Sequence, residues 1–219
     1  MRLLVVNPNT NPAFTDVIGR TAAAAAAPGT TVEAATAPFG VPVIKSPAES
    51  ARAAEAVLAV LTTRAGDIDG AVIAAFSDPG LGEAKTRFRF PVAGIAESAM
   101  LEAAERADRF AIVTLQKGMD QRYRAMADGY GVGPKLAAIR YVSVAAADLQ
   151  DQTEALAGAI LDGCRKAVAE DGARALIVGG GPLAGIAERV AAALPVPVLD
   201  GVSCAVRRVE RLVRERQER

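Results

Sequence analysis

Short, unbroken apolar runs recur along the chain, separated by longer stretches whose apolar positions fall at helical spacing. The runs Leu3–Val6, Ala71–Ala75, Val92–Ile95, Phe110–Thr114, Ala175–Val178 and Val196–Leu199 mostly end at Gly, Pro, Asn or Asp. Continuous apolarity of that length is the pattern of a strand covered on both faces. Thr31–Ala35 and Ile139–Val144 read as two further strands. Helical spacing predicts Asn11–Ala27, Pro47–Ala65, Ser98–Arg106, Gly118–Gly129, Leu149–Glu170, Leu183–Leu194 and Val202–Gln217. Strand alternating with helix predicts an α/β fold of mainly parallel sheets flanked by helices.

The pattern also repeats. Arg2-Leu-Leu-Val-Val-Asn7 is echoed by Arg109-Phe-Ala-Ile-Val-Thr114, and Asp69-Gly-Ala-Val-Ile-Ala-Ala75 by Gly172-Ala-Arg-Ala-Leu-Ile-Val-Gly179. Each second motif leads into a Gly-rich turn, Ser77-Asp-Pro-Gly-Leu81 or Gly179-Gly-Gly-Pro-Leu183, and then into a Pro-Val strand, Pro91-Val92 or Pro195-Val196. Matches in the same order at a common offset predict two pseudo-symmetric α/β halves. We place them at 1–95 plus 206–219 and at 96–205, with the last helix packed back on the first half. Ligands of open parallel sheets bind at the carboxyl ends of strands, so two such halves are expected to set their turns around one cleft.

Composition narrows the chemistry. The chain has 219 residues, 51% of them hydrophobic and only 4% aromatic, so its core is aliphatic, as suits helix-covered parallel sheets. Lys and Arg number 25 and Asp and Glu number 25, which offers no basic surface for nucleic acid. The Arg-rich run Arg207–Arg219 reads as a solvated helix with Glu210–Arg214 and Glu215–Arg219 pairs. There is no histidine, which removes Ser-His-Asp and Cys-His chemistry and the commonest metal ligand. No metal site is expected. Cys164 and Cys204 have no paired spacing and read as small buried residues. No membrane span and no leader pattern is visible, so a cytoplasmic protein handling a small molecule is expected.

Four turns and two charged residues could carry that function. Asn7-Pro-Asn-Thr-Asn-Pro12 places Asn7, Asn9 and Thr10 after a strand and before a helix, where an anion or simply a helix cap fits. Phe76, Ser77 and Asp78 follow the third strand, Ser77 and Asp78 as helix caps or ligand contacts and Phe76 as pocket wall or core. Thr114 stands where Asn7 stands in the other half. Gly180, Gly181 and Pro182 allow close backbone approach to a ligand, but the turn matches no nucleotide-phosphate motif. Lys45, in a loop, and Glu97, after a Pro-Val strand, are the remaining ionisable candidates, each also readable as surface.

At these turns the chain resembles the aspartate/glutamate/hydantoin racemase superfamily, nearest its hydantoin and allantoin racemase branch. The matching stretches are Asn7-Pro-Asn-Thr10, Phe76-Ser-Asp-Pro-Gly-Leu81, Gly94-Ile-Ala-Glu-Ser-Ala-Met100, Val113-Thr114 and Pro197-Val-Leu-Asp-Gly-Val202. The resemblance implies two flavodoxin-like halves, small carboxylate, amino-acid or hydantoin-type ligands, no cofactor and homo-oligomers. It also implies two cysteines working on opposite faces of the substrate, a thiolate removing the α-proton and a thiol returning one. The family's first thiol position is Ala75 here and its second is Gly180. Both are empty, and neither Cys164 in a helix pattern nor Cys204 at the start of the last helix replaces them.

Three readings follow. The scaffold could run non-thiol chemistry of isomerase, lyase or decarboxylase type, with Ser77, Asp78, Glu97 or Lys45 as acid and base. It could be an amino-acid or hydantoin racemase with other groups flanking the substrate carbon. It could bind a small molecule without turnover.

Overall fold

The structure is a computed structural model, which describes residues 1–115 and 117–218. The chain divides into two compact units, Met1–Ile95 with Val202–Arg219, and Ala96–Gly201. Each is a parallel four-stranded sheet with helices packed on it.

In the first unit, β1 (Arg2–Asn7), β2 (Thr31–Thr36), β3 (Gly70–Ile73) and β4 (Val92–Gly94) lie in the order β2-β1-β3-β4. In the second, β5 (Phe110–Thr114), β6 (Leu136–Tyr141), β7 (Ala175–Gly179) and β8 (Val198–Asp200) lie in the order β6-β5-β7-β8. The two orders are the same, so the repeat seen in the sequence is a repeat of topology. It extends to single hydrogen bonds: the Ala37 N–H donates to Asn7 O at 2.9 Å, as the Val142 N–H donates to Thr114 O at 2.9 Å.

Helices α1 (Pro12–Ala25), α2 (Pro47–Arg64) and α3 (Leu81–Arg87) serve the first sheet. Asn11 and Ser46 cap the first two with their side-chain oxygens, each followed by a proline whose missing N–H costs nothing at that position. Helix α4 (Ile95–Arg106) starts directly from β4, three residues earlier than predicted. The strand ends at Gly94, no turn residues intervene, and Glu97 is thereby drawn into the first helical turn. Helix α5 (Asp120–Gly129) follows β5.

The predicted helix over Leu149–Glu170 is two, α6 (Ala146–Asp151) and α7 (Glu154–Asp171). Gln152 adopts a left-handed φ of 48° between them, and Thr153 caps α7. Likewise Leu183–Leu194 shortens to α8 (Ile186–Ala191), because Gly185 enters at φ 83°. Helix α9 (Gly201–Gln217) closes the chain on the first unit. Glu210, expected in a surface pair with Arg214, is instead 3% exposed. It accepts hydrogen bonds from the Ala27 N–H at 2.9 Å and the Thr30 hydroxyl at 2.6 Å. Glu215 pairs with Arg211 at 3.4 Å; Arg219, its expected partner, lies outside the described residues. No helix among the described residues is long and apolar enough to cross a membrane.

Candidate functional site

In each sheet the chain runs outward in opposite directions from the central pair, β1/β3 in one unit and β5/β7 in the other. That pair marks the switch point at whose carboxyl end such sheets bind ligands. Register identifies the residues there. Thr114 pairs with Gly179, Val6 pairs with Ile73, and the Ala74 N–H continues the ladder to Val6 O at 2.8 Å. Ala75 and Gly180 are each the next residue outward. The two positions where the resemblance expects thiols are thus equivalents under the repeat.

The β1 turn is built by its own asparagines. Asn7, fully buried, donates from Nδ2 to Asn11 O at 3.1 Å and to Thr15 Oγ1 at 3.0 Å. Its Oδ1 accepts from the main-chain N–H and the Nδ2 of Asn9, both at 3.0 Å. Two donors and two acceptors exhaust an amide side chain, so Asn7 shapes the turn. Asn9 and Thr10 then pin the loop 37–46: the Ile44 N–H donates to Asn9 Oδ1 at 3.3 Å and the Thr10 N–H to Val41 O at 3.0 Å.

Ala75 borders that loop. Its side chain joins Ile44 and Ala53 in a small apolar cluster, with Val41 packed alongside. Lys45, the expected cationic candidate, is exposed, and its neighbour Ile44 is the residue that turns inward. The turn closes through the Asp78 N–H to Ala75 O at 2.9 Å and the Leu81 N–H to Asp78 O at 3.2 Å. Phe76 is buried and Ser77 half-buried. Asp78, 7% exposed, sits at a left-handed φ of 43°. Its carboxyl group lies against Gly94, where a Cβ would fall 2.2 Å from the carboxyl carbon. Glu97, 6% exposed, stands three residues further, in the first turn of α4.

The β7 turn is held from three sides. The Thr114 hydroxyl donates to Gly179 O at 2.7 Å, Gln152 Nε2 reaches Pro182 O at 3.2 Å and Ala184 O at 3.1 Å, and Asp200 Oδ2 accepts the Gly185 N–H at 2.9 Å. Thr114 also hydrogen-bonds the buried Tyr123, whose hydroxyl burial pushes up to a pKa of about 12. Its own proton is directed at Gly179, so Thr114 orients the turn. Sequence reading missed Tyr123 and Gln152; an isolated buried tyrosine and a helix break leave no local signal of what they touch.

Within this frame Gly180 has φ 139° and ψ 135°, a region that residues with a Cβ do not occupy without strain. A cysteine at the second position would therefore carry a backbone strain of roughly 1–3 kcal/mol, although a Cβ there would meet nothing closer than Leu183 and Pro182 at 3.9 Å. The two real cysteines offer no substitute. Cys164 is fully buried in α7, and burial raises its thiol to about 12; Cys204 is buried in the first turn of α9. Among the described residues no cluster of His, Cys, Asp and Glu has metal-binding geometry.

A family model described as Asp/Glu/Hydantoin racemase matches residues 3–209. The chain is 31% identical over 214 residues to a hydantoin racemase of Pseudomonas sp. (strain NS671), covering 97% of this chain and 86% of that one. With a hydantoin racemase of Paenarthrobacter aurescens it shares 30% over 215 residues, 97% and 91% of the two chains. The solved structure of an allantoin racemase from Klebsiella pneumoniae superposes with a TM-score of 0.93 at 39% identity, covering 98% of this chain and 88% of that one. Duplicated sheets, matched turns and similarity along nearly the whole length agree: the chain belongs to the Asp/Glu/Hydantoin racemase family.

Proposed function

We propose that this chain is a cofactor-independent enzyme of the racemase scaffold acting on a small carboxylate, amino-acid derivative or cyclic ureide, with acid–base groups other than thiols. The reading rests on Gly180. The chemistry the resemblance implies needs two thiols, and at φ 139° a cysteine at the second position would be strained by roughly 1–3 kcal/mol. Ala75, enclosed with Ile44 and Ala53, carries no proton at the first position. Chemistry on this scaffold is then one-sided. A base removes the α-proton, the C–H electron pair moves onto the adjacent carbonyl as an enolate, and main-chain N–H groups stabilise the charge. We assign the base to Glu97, a buried carboxylate in the first turn of α4. Loss of carbon dioxide from a malonate-type ligand would give the same enolate without a base.

A second reading, a hydantoin or allantoin racemase with different acid–base groups, is favoured by the 39% identity to an allantoin racemase. One experiment separates the two. The protein is incubated in D₂O with hydantoins, allantoin, amino acids and small dicarboxylates while α-proton exchange and optical rotation are followed together. Exchange with rotation retained, abolished by Glu97→Gln, is expected. Exchange with matched loss of rotation supports racemisation and overturns the one-sided reading, and thermal stabilisation by a ligand without exchange or product identifies a binder.

A further inference from the structure

In both units the residue that ends the central strand is backed by hydroxyls at the same two places, the following helix and the end of the edge strand. In the first unit Asn7 Nδ2 donates to Thr15 Oγ1 of α1 at 3.0 Å, and Thr15 Oγ1 lies 2.6 Å from Thr36 Oγ1. Thr36 ends β2 as the register partner of Asn7. In the second unit Thr114 hydrogen-bonds Tyr123 of α5, and its register partner Tyr141 ends β6. The second set points elsewhere. Tyr141 donates to Asp120 Oδ2 at 2.8 Å, whereas Thr114 Oγ1 donates across to Gly179 O at 2.7 Å. A carbonyl oxygen only accepts, and a threonine has one hydroxyl proton. Tyr123 is therefore the donor to Thr114 Oγ1. Tyr123 at 2% and Thr114 at 3% exposure keep this chain of bonds out of water. A buried phenol hydroxyl is costly unless bonded, so packing alone does not account for a tyrosine at this place.

We propose that Tyr123 is a positioning residue for the β7 turn: its hydroxyl holds the Thr114 hydroxyl on Gly179 O and so fixes and polarises the Gly179–Gly180 peptide. That peptide also carries the Gly180 N–H, and a hydrogen bond accepted at its oxygen strengthens the N–H as a donor. The inference rests on the reading above, in which main-chain N–H groups stabilise an enolate. It assigns that task in the second unit to the Gly180 N–H, tuned by a buried residue acting through Thr114.

Two readouts on Tyr123→Phe, which removes one oxygen, test this. In the ligand-free protein labelled with ¹³C and ¹⁵N, the Gly179 carbonyl and Gly180 amide resonances are expected to move. Thr114→Val should move them the same way, Thr114→Ser should leave them in place, and Tyr123→Phe added to Thr114→Val should have no further effect. In the D₂O assay Tyr123→Phe should lower the kcat of α-proton exchange about five- to ten-fold, less than losing an oxyanion donor outright, with KM held within about two-fold. Should Tyr123→Phe fail to fold, Tyr123→Met gives the same comparison. Unmoved Gly179 and Gly180 resonances, an effect that persists on Thr114→Val, or full exchange activity in the variant overturns the positioning role and leaves the functional reading standing. Moved resonances in a protein that exchanges no α-proton of any ligand support the link from Tyr123 to the turn and overturn the functional reading instead.

Discussion

Gly180 shows how one dihedral angle constrains chemistry. Its φ of 139° is held by hydrogen bonds to the residues on either side, so Gly180→Ala and Gly180→Cys are both expected to destabilise the protein by roughly 1–3 kcal/mol. Urea denaturation checks the size. Ala75→Cys, at an ordinary backbone position, should cost less than half as much. Two cysteine substitutions look from the sequence like a simple restoration of the family pair, but the second carries a backbone penalty that the first does not. Gly94 is constrained by space instead. With Asp78 Cγ 2.2 Å from its absent Cβ, Gly94→Ala should destabilise by about 2 kcal/mol or more. Adding Asp78→Gly should recover much of the loss in a double-mutant cycle, because the obstructing group is gone. The motif around Gly94 was legible as a string of residues, but its reason, a carboxylate delivered from a turn sixteen positions upstream, was not.

The two β-turn-α elements solve one problem in opposite directions. In the first unit the turn supplies the carboxylate, Asp78, and the strand end is bare at Gly94. In the second the strand end supplies it, Asp200, and the turn answers with the Gly185 N–H at 2.9 Å. Gln152 then braces the second turn alone, from a helix break. Gln152→Ala should therefore speed amide hydrogen exchange at residues 183–185 several-fold and lower stability by about 1 kcal/mol, with β1–β4 exchange unchanged. The strands were readable because apolar runs are local. Helix ends were less so: spacing alone joined α6 to α7, since Gln152 at φ 48° interrupts a pattern that still looks helical.

Across the whole molecule, buried acids with raised pKa values couple stability to pH. Folded Tyr123 keeps its proton to about 12 against an ordinary 10.0, and Cys164 to about 12 against 9.0. Above pH 9 the unfolded chain therefore binds fewer protons than the folded one, and stability falls as pH rises. The loss between pH 8 and pH 11 should be on the order of 4 kcal/mol. Urea midpoints at the two pH values measure it, and Tyr123→Phe and Cys164→Ala should each flatten the slope. Both cysteines should resist thiol reagents until the chain unfolds.

Amino-acid order alone carries the two parallel sheets, their repetition and the turns at the carboxyl ends of their central strands. Each is a periodic or contiguous pattern, set by the need to bury apolar side chains near one another along the chain. Contacts between distant segments assign the roles within those turns. Asn9 meets Ile44 across 35 positions, which turns Ile44 inward and leaves Lys45 outside. Glu210 reaches Thr30 across 180, so a predicted surface charge becomes an internal tie. Gly180 is legible as a missing thiol, but its dihedral angle is seen only in the folded turn, whose neighbouring residues are tied by Thr114, Gln152 and Asp200. A sequence can record that a cysteine is absent; only the packed backbone shows the strain a cysteine there would carry.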